Sequence, residues 1–279
     1  MKKKVNKKKE TKKIIFLIIA IVLVLAAIAA LCVGYYKKAT HEVKNPIATL
    51  EIKDYGTIKV ELYPEYAENT VVNFIALANN GFYNGLKIHR VEESLIQGGD
   101  KNGDGTGSPK LSAIDKSIEV DSEKDKEYAI PGEFINNGHK ENTLRFERGI
   151  IGMARSEWTQ YASNLESQSN NSAGSQFFIL TETLSSLNGE YAAFGKVISG
   201  METIDSISKV ETAVDENKNE ETGEVTKTET TRPATDVIIE SITIDTKGVE
   251  YGMPETNELF DFTSWYMQKY YGSQMVMGE

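Results

Sequence analysis

A run of twenty uncharged, almost entirely apolar residues near the N-terminus constrains this chain most. It extends from Ile14 to Val33, and as a helix with a rise of about 1.5 Å per residue it covers roughly 30 Å, the thickness of the hydrocarbon core of a bilayer. The apolar core of a cleaved signal peptide is shorter, about 7–15 residues. Tyr35 and Tyr36 follow the run and suit a membrane interface. The sequence therefore predicts one transmembrane anchor over residues 14–36.

The charges on the two sides of this run have opposite signs. Residues 1–13 contain eight Lys and one Glu, a net charge of +7, whereas the rest of the chain contains 23 basic and 40 acidic residues, a net charge of −17. Because positive charge beside a membrane span stays inside the cell, we expect a basic cytoplasmic tail and an extracytoplasmic domain, in a single-pass protein of the cell membrane. A nucleic-acid-binding surface needs basic charge, so the acidic part argues against a nucleic-acid partner.

The single cysteine, Cys32, leaves a second interpretation of the N-terminus open. Its position resembles that of the lipid-modified cysteine of a bacterial lipoprotein, although Leu31 stands before it, where that processing favours a small residue. A small apolar residue in a membrane helix is the plainer interpretation. One cysteine allows neither an intrachain disulfide nor a cysteine-based zinc site, and three scattered histidines do not indicate a metal cluster, so we expect no metal.

Beyond a short polar linker at residues 37–45, the hydrophobic period changes to two and predicts β-strands. Seven strands are predicted, at residues 47–53, 57–62, 86–91, 149–154, 176–181, 192–197 and 237–244. One helix is expected to begin with Asn69 or Thr70 as its cap, and a capping-box pattern at Ser199 predicts a second helix through Ile207. Many strands with only two helices favour a closed antiparallel barrel or a sandwich.

Two polar segments, at about 156–171 and 211–231, are predicted to be insertions between strands. The first carries two large aromatic residues, Trp158 and Tyr161. The second is rich in Glu, Thr, Lys and Asn, a composition that predicts the solvated tip of a hairpin.

Residues 248–279 form a C-terminal extension rich in aromatic residues. Pro254 and Thr256 can open a helix there. Helical spacing then groups four side chains near one face: Leu259, Phe262, Tyr266 and Tyr270. We expect this helix to pack on its own domain, and contact with a partner or with a membrane surface is the alternative.

An ordered series of short motifs carries the functional prediction. In chain order they are KIHRV at 87–91, QGGD at 97–100, GDGTG at 103–107, GMAR at 152–155, GSQFFI at 174–179, LNG at 187–189 and FGKV at 194–197. The series resembles the cyclophilin family of peptidyl-prolyl cis-trans isomerases, over a domain that we place at residues 46–247. The resemblance implies a mainly β fold, an eight-stranded antiparallel closed β-barrel capped by two helices, and catalysis without a cofactor.

The residue types suit that chemistry. Rotation about an X–Pro bond has a barrier of about 20 kcal/mol because amide resonance is lost. The proline nitrogen gains a lone pair in the twisted transition state, so a donor aimed at it, such as the permanently charged Arg90, binds the transition state more strongly than the planar ground state. By the resemblance, the catalytic residues are Arg90, Gln97 and Phe178, and the substrate-binding residues are Leu95, Met153, Ala154, Arg155, Gln176, Leu187 and Tyr191.

The segment between the predicted catalytic arginine and glutamine departs from the family pattern, because it is one residue shorter. Ser94 or Leu95 therefore falls where the family has an aromatic wall of the pocket. The insertion at 156–171 can restore such a wall through Trp158 or Tyr161, and a solvated surface loop is the alternative.

Charged residues beside the predicted catalytic arginine are a second departure. Glu92 and Glu93 can draw the guanidinium of Arg90 away from a substrate, so we expect reduced catalytic efficiency. Ser186 stands where cyclosporin-sensitive members have Trp, so we expect weak cyclosporin binding. His89 is structural in the family pattern and is expected to be buried and hydrogen-bonded.

The sequence thus predicts an isomerase of X–Pro bonds that assists the folding of extracytoplasmic proteins. Its expected partners are proline-containing polypeptide clients and, through residues 14–36, the lipid bilayer, and we expect a monomer. The alternative is a catalytically weak or inactive cyclophilin-fold chaperone or scaffold that binds proline-containing segments. The altered segment 92–95 and the aromatic extension favour that alternative.

Overall fold

The computed structural model describes residues 2–40, 44–218 and 225–275. The chain divides into two units, Met1–Lys44 and Asn45–Glu279. The first unit is helical, and the second contains the strands, the remaining helices and several short 3-10 turns.

Helix α1 (Lys2–Thr40) forms the first unit. Its segment Glu10–Cys32 is long and apolar enough, by length and composition, to cross a membrane. The helix continues through residues 37–40, which the sequence assigns to a polar linker, because Lys and Ala are good helix formers and no proline interrupts the chain before residue 46. The rest of that linker includes residues 41–43, which lie outside the described residues.

The second unit contains twelve described strands and four further helices. The strands are β1 (Ile47–Ile52), β2 (Gly56–Leu62), β3 (Lys87–Glu92), β4 (Leu95–Asp100), β5 (Tyr128–Ala129), β6 (Ile150–Met153), β7 (Phe177–Leu180), β8 (Ala193–Ser199), β9 (Thr212–Lys218), β10 (Val225–Pro233), β11 (Val237–Asp245) and β12 (Asn257–Glu258). The helices are α2 (Glu68–Asn79), α3 (Glu166–Asn170), α4 (Met201–Ile207) and α5 (Phe262–Met275), with 3-10 turns at Leu111–Ala113, Ile135–Asn137, Ser163–Leu165 and Ser185–Leu187. All seven predicted strands are present, as β1, β2, β3, β6, β7, β8 and β11.

Eight strands close into an antiparallel barrel in the order β1–β11–β3–β4–β7–β6–β8–β2, which confirms the predicted fold class. Strand β4 is the one that the residue pattern does not predict, because Gly98 and Gly99 break the alternation that marks a strand. Gly99 is sterically required, whereas a side chain at Gly98 would force the tip of Ile88 to move. A Cβ on Gly98 would lie 2.7 Å from Cδ1 of Ile88, and one on Gly99 would lie 2.5 Å from the carbonyl oxygen of Ser175.

Helix α2 buries its apolar face, including Val71 and Phe74, in the main hydrophobic core. Its first turn is capped from a distant part of the chain, so the prediction of Asn69 or Thr70 as the cap is wrong. The carboxylate of Glu133 accepts hydrogen bonds from the backbone N–H of Asn69 at 2.9 Å, and from the N–H and hydroxyl of Thr70 at 2.7 and 2.6 Å. The carboxylate also complements the positive end of the helix dipole.

Helix α4 begins after Gly200, whose φ of +91° lies in the left-handed region. Gly200 is therefore the N-cap residue, and the predicted capping box at Ser199 is wrong. A Cβ at Gly200 would lie 2.3 Å from the carbonyl oxygen of Thr57, so the close approach of β2 also requires glycine here.

The insertion at 211–231 forms an antiparallel hairpin of β9 and β10, as the sequence predicts. Residues 219–224, at the predicted solvated tip, lie outside the described residues.

The C-terminal extension packs against the rest of the second unit, as expected. Strand β12 pairs with β5, and the side-chain amide of Asn69 exchanges two hydrogen bonds with the backbone of Glu255, at 3.0 and 2.7 Å. Helix α5 therefore begins at Phe262 rather than at Pro254 or Thr256, because the pairing of β12 keeps the intervening residues extended.

Candidate active site

The register of neighbouring strands lines up the predicted catalytic residues. Arg90 on β3 lies opposite Gln97 on β4, Gln97 lies opposite Phe178 on β7, and Phe178 lies opposite Gly152 on β6. Directly opposed residues project to the same face of a sheet. A register shift just before Arg90 marks a bulge, a feature that re-aims side chains near functional sites.

A cavity of about 300 Å³, the primary pocket, opens beside this row. Eight predicted site residues line it: Arg90, Leu95, Gln97, Ala154, Arg155, Phe178, Leu187 and Tyr191. Glu92, Ser94 and Leu184 also line it and are not among the predicted site residues. The shortened segment after Arg90 signals the first two, whereas Leu184 lies in a loop that carries no motif.

Two neighbours hold the Arg90 guanidinium beside the primary pocket. Its Nη1 donates to Oε1 of Gln97 at 3.0 Å, and its Nε and Nη2 both donate to Oε1 of Glu92, at 2.8 and 2.5 Å. Within the described residues these bonds engage three of the five N–H groups of a guanidinium, which leaves one on each terminal nitrogen for a ligand. The expected contact of Glu92 with Arg90 is confirmed, whereas no hydrogen bond or ion pair in the described chain joins the Glu93 carboxylate to Arg90.

Aromatic rings form the apolar floor of the primary pocket. Phe178 is 5% exposed and stacks on Phe146, with ring centroids 5.6 Å apart, and Tyr191 meets it edge-on at 5.7 Å. Gly152 makes room for this pair, since a Cβ there would lie 2.5 Å from the Phe178 ring and 2.6 Å from the Phe146 ring. The sequence analysis missed Phe146, which lies outside every motif.

Two of the predicted substrate-binding residues do not line the primary pocket. Met153 is 1% exposed and belongs to the main core, because strand alternation turns it inward after Gly152. Gln176 lies one residue before β7. Its amide nitrogen donates to the carbonyl oxygens of Gly105 and Gly107, at 3.0 and 3.2 Å, and its Oε1 accepts from Gln97 at 3.0 Å.

This amide chain ties the Arg90 network to the glycine-rich loop after β4. The carboxylate of Asp100 is buried beneath that loop and accepts backbone N–H groups of Asn102, Asp104 and Gly105, at 3.2, 2.8 and 2.7 Å. The loop thus positions Gln176, which positions Gln97 beside Arg90.

Arg155 is a wall of the pocket rather than a free cation. Its side chain is 6% exposed, and its guanidinium lies 4.7 Å from the centre of the Tyr191 ring. The guanidinium also donates to the Glu157 carboxylate at 2.9 Å and to the backbone carbonyl of Glu190 at 3.1 Å. The Glu190 carboxylate also lies 3.8 Å from the guanidinium, so two glutamate carboxylates balance the charge of Arg155.

His89 lies next to Arg90 on β3 and is 8% exposed. Burial lowers its pKa below the usual value, and Arg90 acts in the same direction, although Asp100 opposes both. The ring is buried as expected, but neither ring nitrogen has a hydrogen-bond partner in the described part of the chain. The backbone of Lys87 approaches the ring without reaching hydrogen-bond geometry.

The insertion at 156–171 does not supply the missing wall of the primary pocket. Trp158 instead lines a neighbouring cavity of about 400 Å³, the aromatic-walled cavity, together with Phe262 of α5. Gln97, Ala154 and Arg155 line both cavities. In the primary pocket, Leu95 and Tyr191 belong to the same apolar cluster as Phe178.

The closed barrel and the arginine beside an apolar pocket define a cyclophilin-type isomerase domain. The sequence profile described as cyclophilin type peptidyl-prolyl cis-trans isomerase/CLD matches residues 47–244. The chain belongs to this family and is a peptidyl-prolyl cis-trans isomerase.

Relatives by sequence and by structure agree with this assignment. A probable peptidyl-prolyl cis-trans isomerase of Brucella suis is 34% identical over 190 residues, which cover 67% of this chain and 84% of that protein. Peptidyl-prolyl cis-trans isomerase B of Bacillus subtilis is 37% identical over 158 residues, 56% of this chain and 87% of that protein. A crystal structure of a Cryptosporidium parvum cyclophilin type isomerase, determined in the presence of the dipeptide Ala-Pro, superposes with a TM-score of 0.51 at 26% identity, over 71% of this chain and 98% of that one.

Proposed function

We propose that this isomerase acts on proline-containing segments of extracytoplasmic proteins, with Arg90, Gln97 and Phe178 as its catalytic residues. The observation that carries the proposal is the Arg90 guanidinium, held by Gln97 at 3.0 Å beside a pocket floored by Phe178. The Cryptosporidium parvum relative, whose structure was determined in the presence of the dipeptide Ala-Pro, supports a proline-containing ligand.

In this proposal the proline ring rests on Phe178 and Leu95 while the carbonyl side of the bond rotates. One N–H of Arg90 donates to the proline nitrogen as that nitrogen becomes pyramidal. The bond forms only in the twisted state, so it lowers the barrier instead of tightening substrate binding. Gln97 keeps the guanidinium in register, and the chain needs neither a nucleophile nor a general base for this rotation.

Replacing Arg90 tests the proposal. In the full-length protein in detergent, Arg90→Ala is expected to lower kcat/KM for a proline peptide by about 10²- to 10³-fold, the usual effect of removing one donor aimed at transition-state charge. Arg148→Ala is the matched control, because Arg148 pairs with Asp205 at the surface, 2.6 Å away, and does not line the primary pocket. Equal activity of the native protein and Arg90→Ala would overturn the mechanism.

The proposed location follows from the N-terminal helix. Its apolar segment has the length of a membrane span, and the lysines before it favour retention of that end in the cytoplasm. Protease treatment of intact cells and of lysed cells tests this orientation. Loss of the barrel epitope in intact cells supports an extracytoplasmic enzyme, and protection until lysis contradicts it.

The contact between Glu92 and Arg90 favours a second candidate function, a chaperone that binds proline-containing segments with little catalysis. If this is the function, the Arg90→Ala variant should suppress the aggregation of an unfolded client as well as the native protein does. Removal of residues 249–279 would reduce that suppression. An aggregation assay in which both variants behave like the native protein would eliminate a role for the extension.

A further inference from the structure

Two aromatic side chains from outside the barrel close one end of the aromatic-walled cavity. Trp158 comes from the insertion at 156–171, and Phe262 comes from the first turn of α5. Their rings stack with an interplanar angle of 1° and a centroid distance of 5.5 Å. Because glycine, serine, threonine and glutamine form most of the remaining wall, these two rings are the main apolar surface that the cavity offers.

The insertion and the extension hold each other in place. Phe260 contacts Trp158 with a centroid distance of 5.2 Å, Tyr161 contacts Phe262 at 4.9 Å, and Tyr266 meets Tyr161 edge-on at 5.9 Å. The extension is also fixed ahead of α5 by the pairing of β12 with β5. The aromatic end of the cavity is therefore a packed wall, built from two segments that are far apart in the sequence.

The cavity adjoins the primary pocket, because Gln97, Ala154 and Arg155 line both. A peptide whose proline occupies the primary pocket can therefore place a neighbouring side chain in the aromatic-walled cavity. The volume of about 400 Å³ is within the range of ligand pockets, roughly 300–1,000 Å³, and leaves room for a large side chain.

We propose that Trp158 and Phe262 are specificity-determining residues, which favour clients that carry an aromatic side chain close to the isomerising proline. Aromatic pairs gain from offset-stacked or edge-to-face contact beyond the burial of their area, and the rest of the wall offers hydroxyl and amide groups to a phenol or indole. This inference rests on the proposed function, since it requires the peptide to lie across Gln97.

A set of matched peptides tests the inference with the full-length protein in detergent. Each peptide contains one proline, and alanine at each flanking position is replaced in turn by tyrosine or phenylalanine. We expect kcat/KM to rise by about 2- to 12-fold for an aromatic residue at one position, the range set by an aromatic pair. Trp158→Ala and Phe262→Ala should each reduce the ratio of kcat/KM for the preferred aromatic peptide to kcat/KM for the all-alanine peptide to about one.

Met267→Ala is the matched control, because Met267 lies on the exposed side of α5, 42% exposed, and does not line the cavity. It should retain the preference. The indole N–H signal of Trp158 provides a readout that needs no destabilising variant: in the native protein it should shift with the preferred aromatic peptide and not with the all-alanine peptide.

A flat response across the peptides, or a preference that survives both cavity variants, overturns the inference. Either result leaves the proposed function intact if catalysis still depends on Arg90. If instead no peptide is isomerised in an Arg90-dependent way, the proposed function itself fails.

Discussion

Replacement of Glu92 by Gln measures how much the Arg90–Glu92 contact restrains catalysis. One carboxylate oxygen accepts two N–H groups of Arg90, at 2.8 and 2.5 Å. Gln keeps the size of the side chain and an oxygen that can accept the same bonds, so Glu92→Gln removes the charge with little change in geometry. A guanidinium that no longer pairs with a carboxylate is a stronger donor to the proline nitrogen, so we expect a faster enzyme.

The exposure of the pair limits the expected gain. The side chains of Arg90 and Glu92 are 41% and 34% exposed, and ion pairs so accessible to water contribute about 0.2–1 kcal/mol. Because 1.4 kcal/mol corresponds to a factor of ten in rate, release of the pair can raise kcat/KM by about 1.4- to 5-fold. The gain should shrink as salt is added, since salt already screens the pair.

The assay compares kcat/KM of the full-length variants for one proline peptide at low and high salt. Glu93→Gln is the matched control, and we expect it to leave the rate unchanged, because its exposed carboxylate makes no described contact with Arg90. Glu92→Gln should also have no effect when Arg90 is already Ala. A slower Glu92→Gln enzyme, or the same gain in the Arg90→Ala background, would refute the reasoning.

Three further predictions concern stability and location. The pKa of His89 is lowered in the folded protein, so the unfolded chain binds the proton more readily, and the stabilising contribution of the neutral ring should be fully present above about pH 6.5 and decline as the pH falls from there. Urea titrations at several pH values should show a smaller loss of unfolding free energy in acid for His89→Asn than for the native protein, and an equal loss contradicts this. Glu133→Ala leaves donors of α2 without their partner and should lower the free energy of unfolding by about 2–3 kcal/mol, since a buried unsatisfied donor costs about 1–3 kcal/mol; a chemical denaturation midpoint equal to that of the native protein would disprove the role of this cap. Deletion of residues 14–33 should move the protein from the membrane fraction to the soluble fraction. An intact mass of the native protein that corresponds to a chain cleaved before an acylated Cys32 would instead show that a lipid, and not a transmembrane helix, anchors it.

The part of the site that the sequence predicts well is the part that strand register controls. Arg90, Gln97 and Phe178 belong to separate motifs, and a barrel of this topology must place them in one row. The alternation of apolar and polar residues identifies seven of the eight barrel strands, because each of these strands buries one face. Strand β4 is not predicted because Gly98 and Gly99 interrupt the alternation, and these glycines are there to allow the close approach of neighbouring segments, which the local sequence does not reveal.

The residues that sequence reasoning missed depend on contacts between distant segments. Leu184 lines the primary pocket and Phe146 stacks on Phe178, and both come from loops, where no period reveals which side chains point inward. The role of Glu133 as the cap of α2 joins positions 63 residues apart. Trp158 lines the aromatic-walled cavity rather than the primary pocket, and its stacking partner, Phe262, comes from an extension whose path no local pattern indicates.

The cap supplied by Glu133 also imposes an order on how this chain folds during its synthesis. Residue 133 follows Thr70 by 63 positions, an interval of roughly 3–13 s at a synthesis rate of about 5–20 residues per second. Until then the first N–H groups of α2 have only water as a partner, and an isolated helix of this length is marginal. The nascent chain therefore completes α2 only when the segment that carries Glu133 has emerged. The folding of this enzyme, which accelerates a slow step in the folding of other proteins, thus includes a delay set by the time needed to synthesise the residues between Thr70 and Glu133.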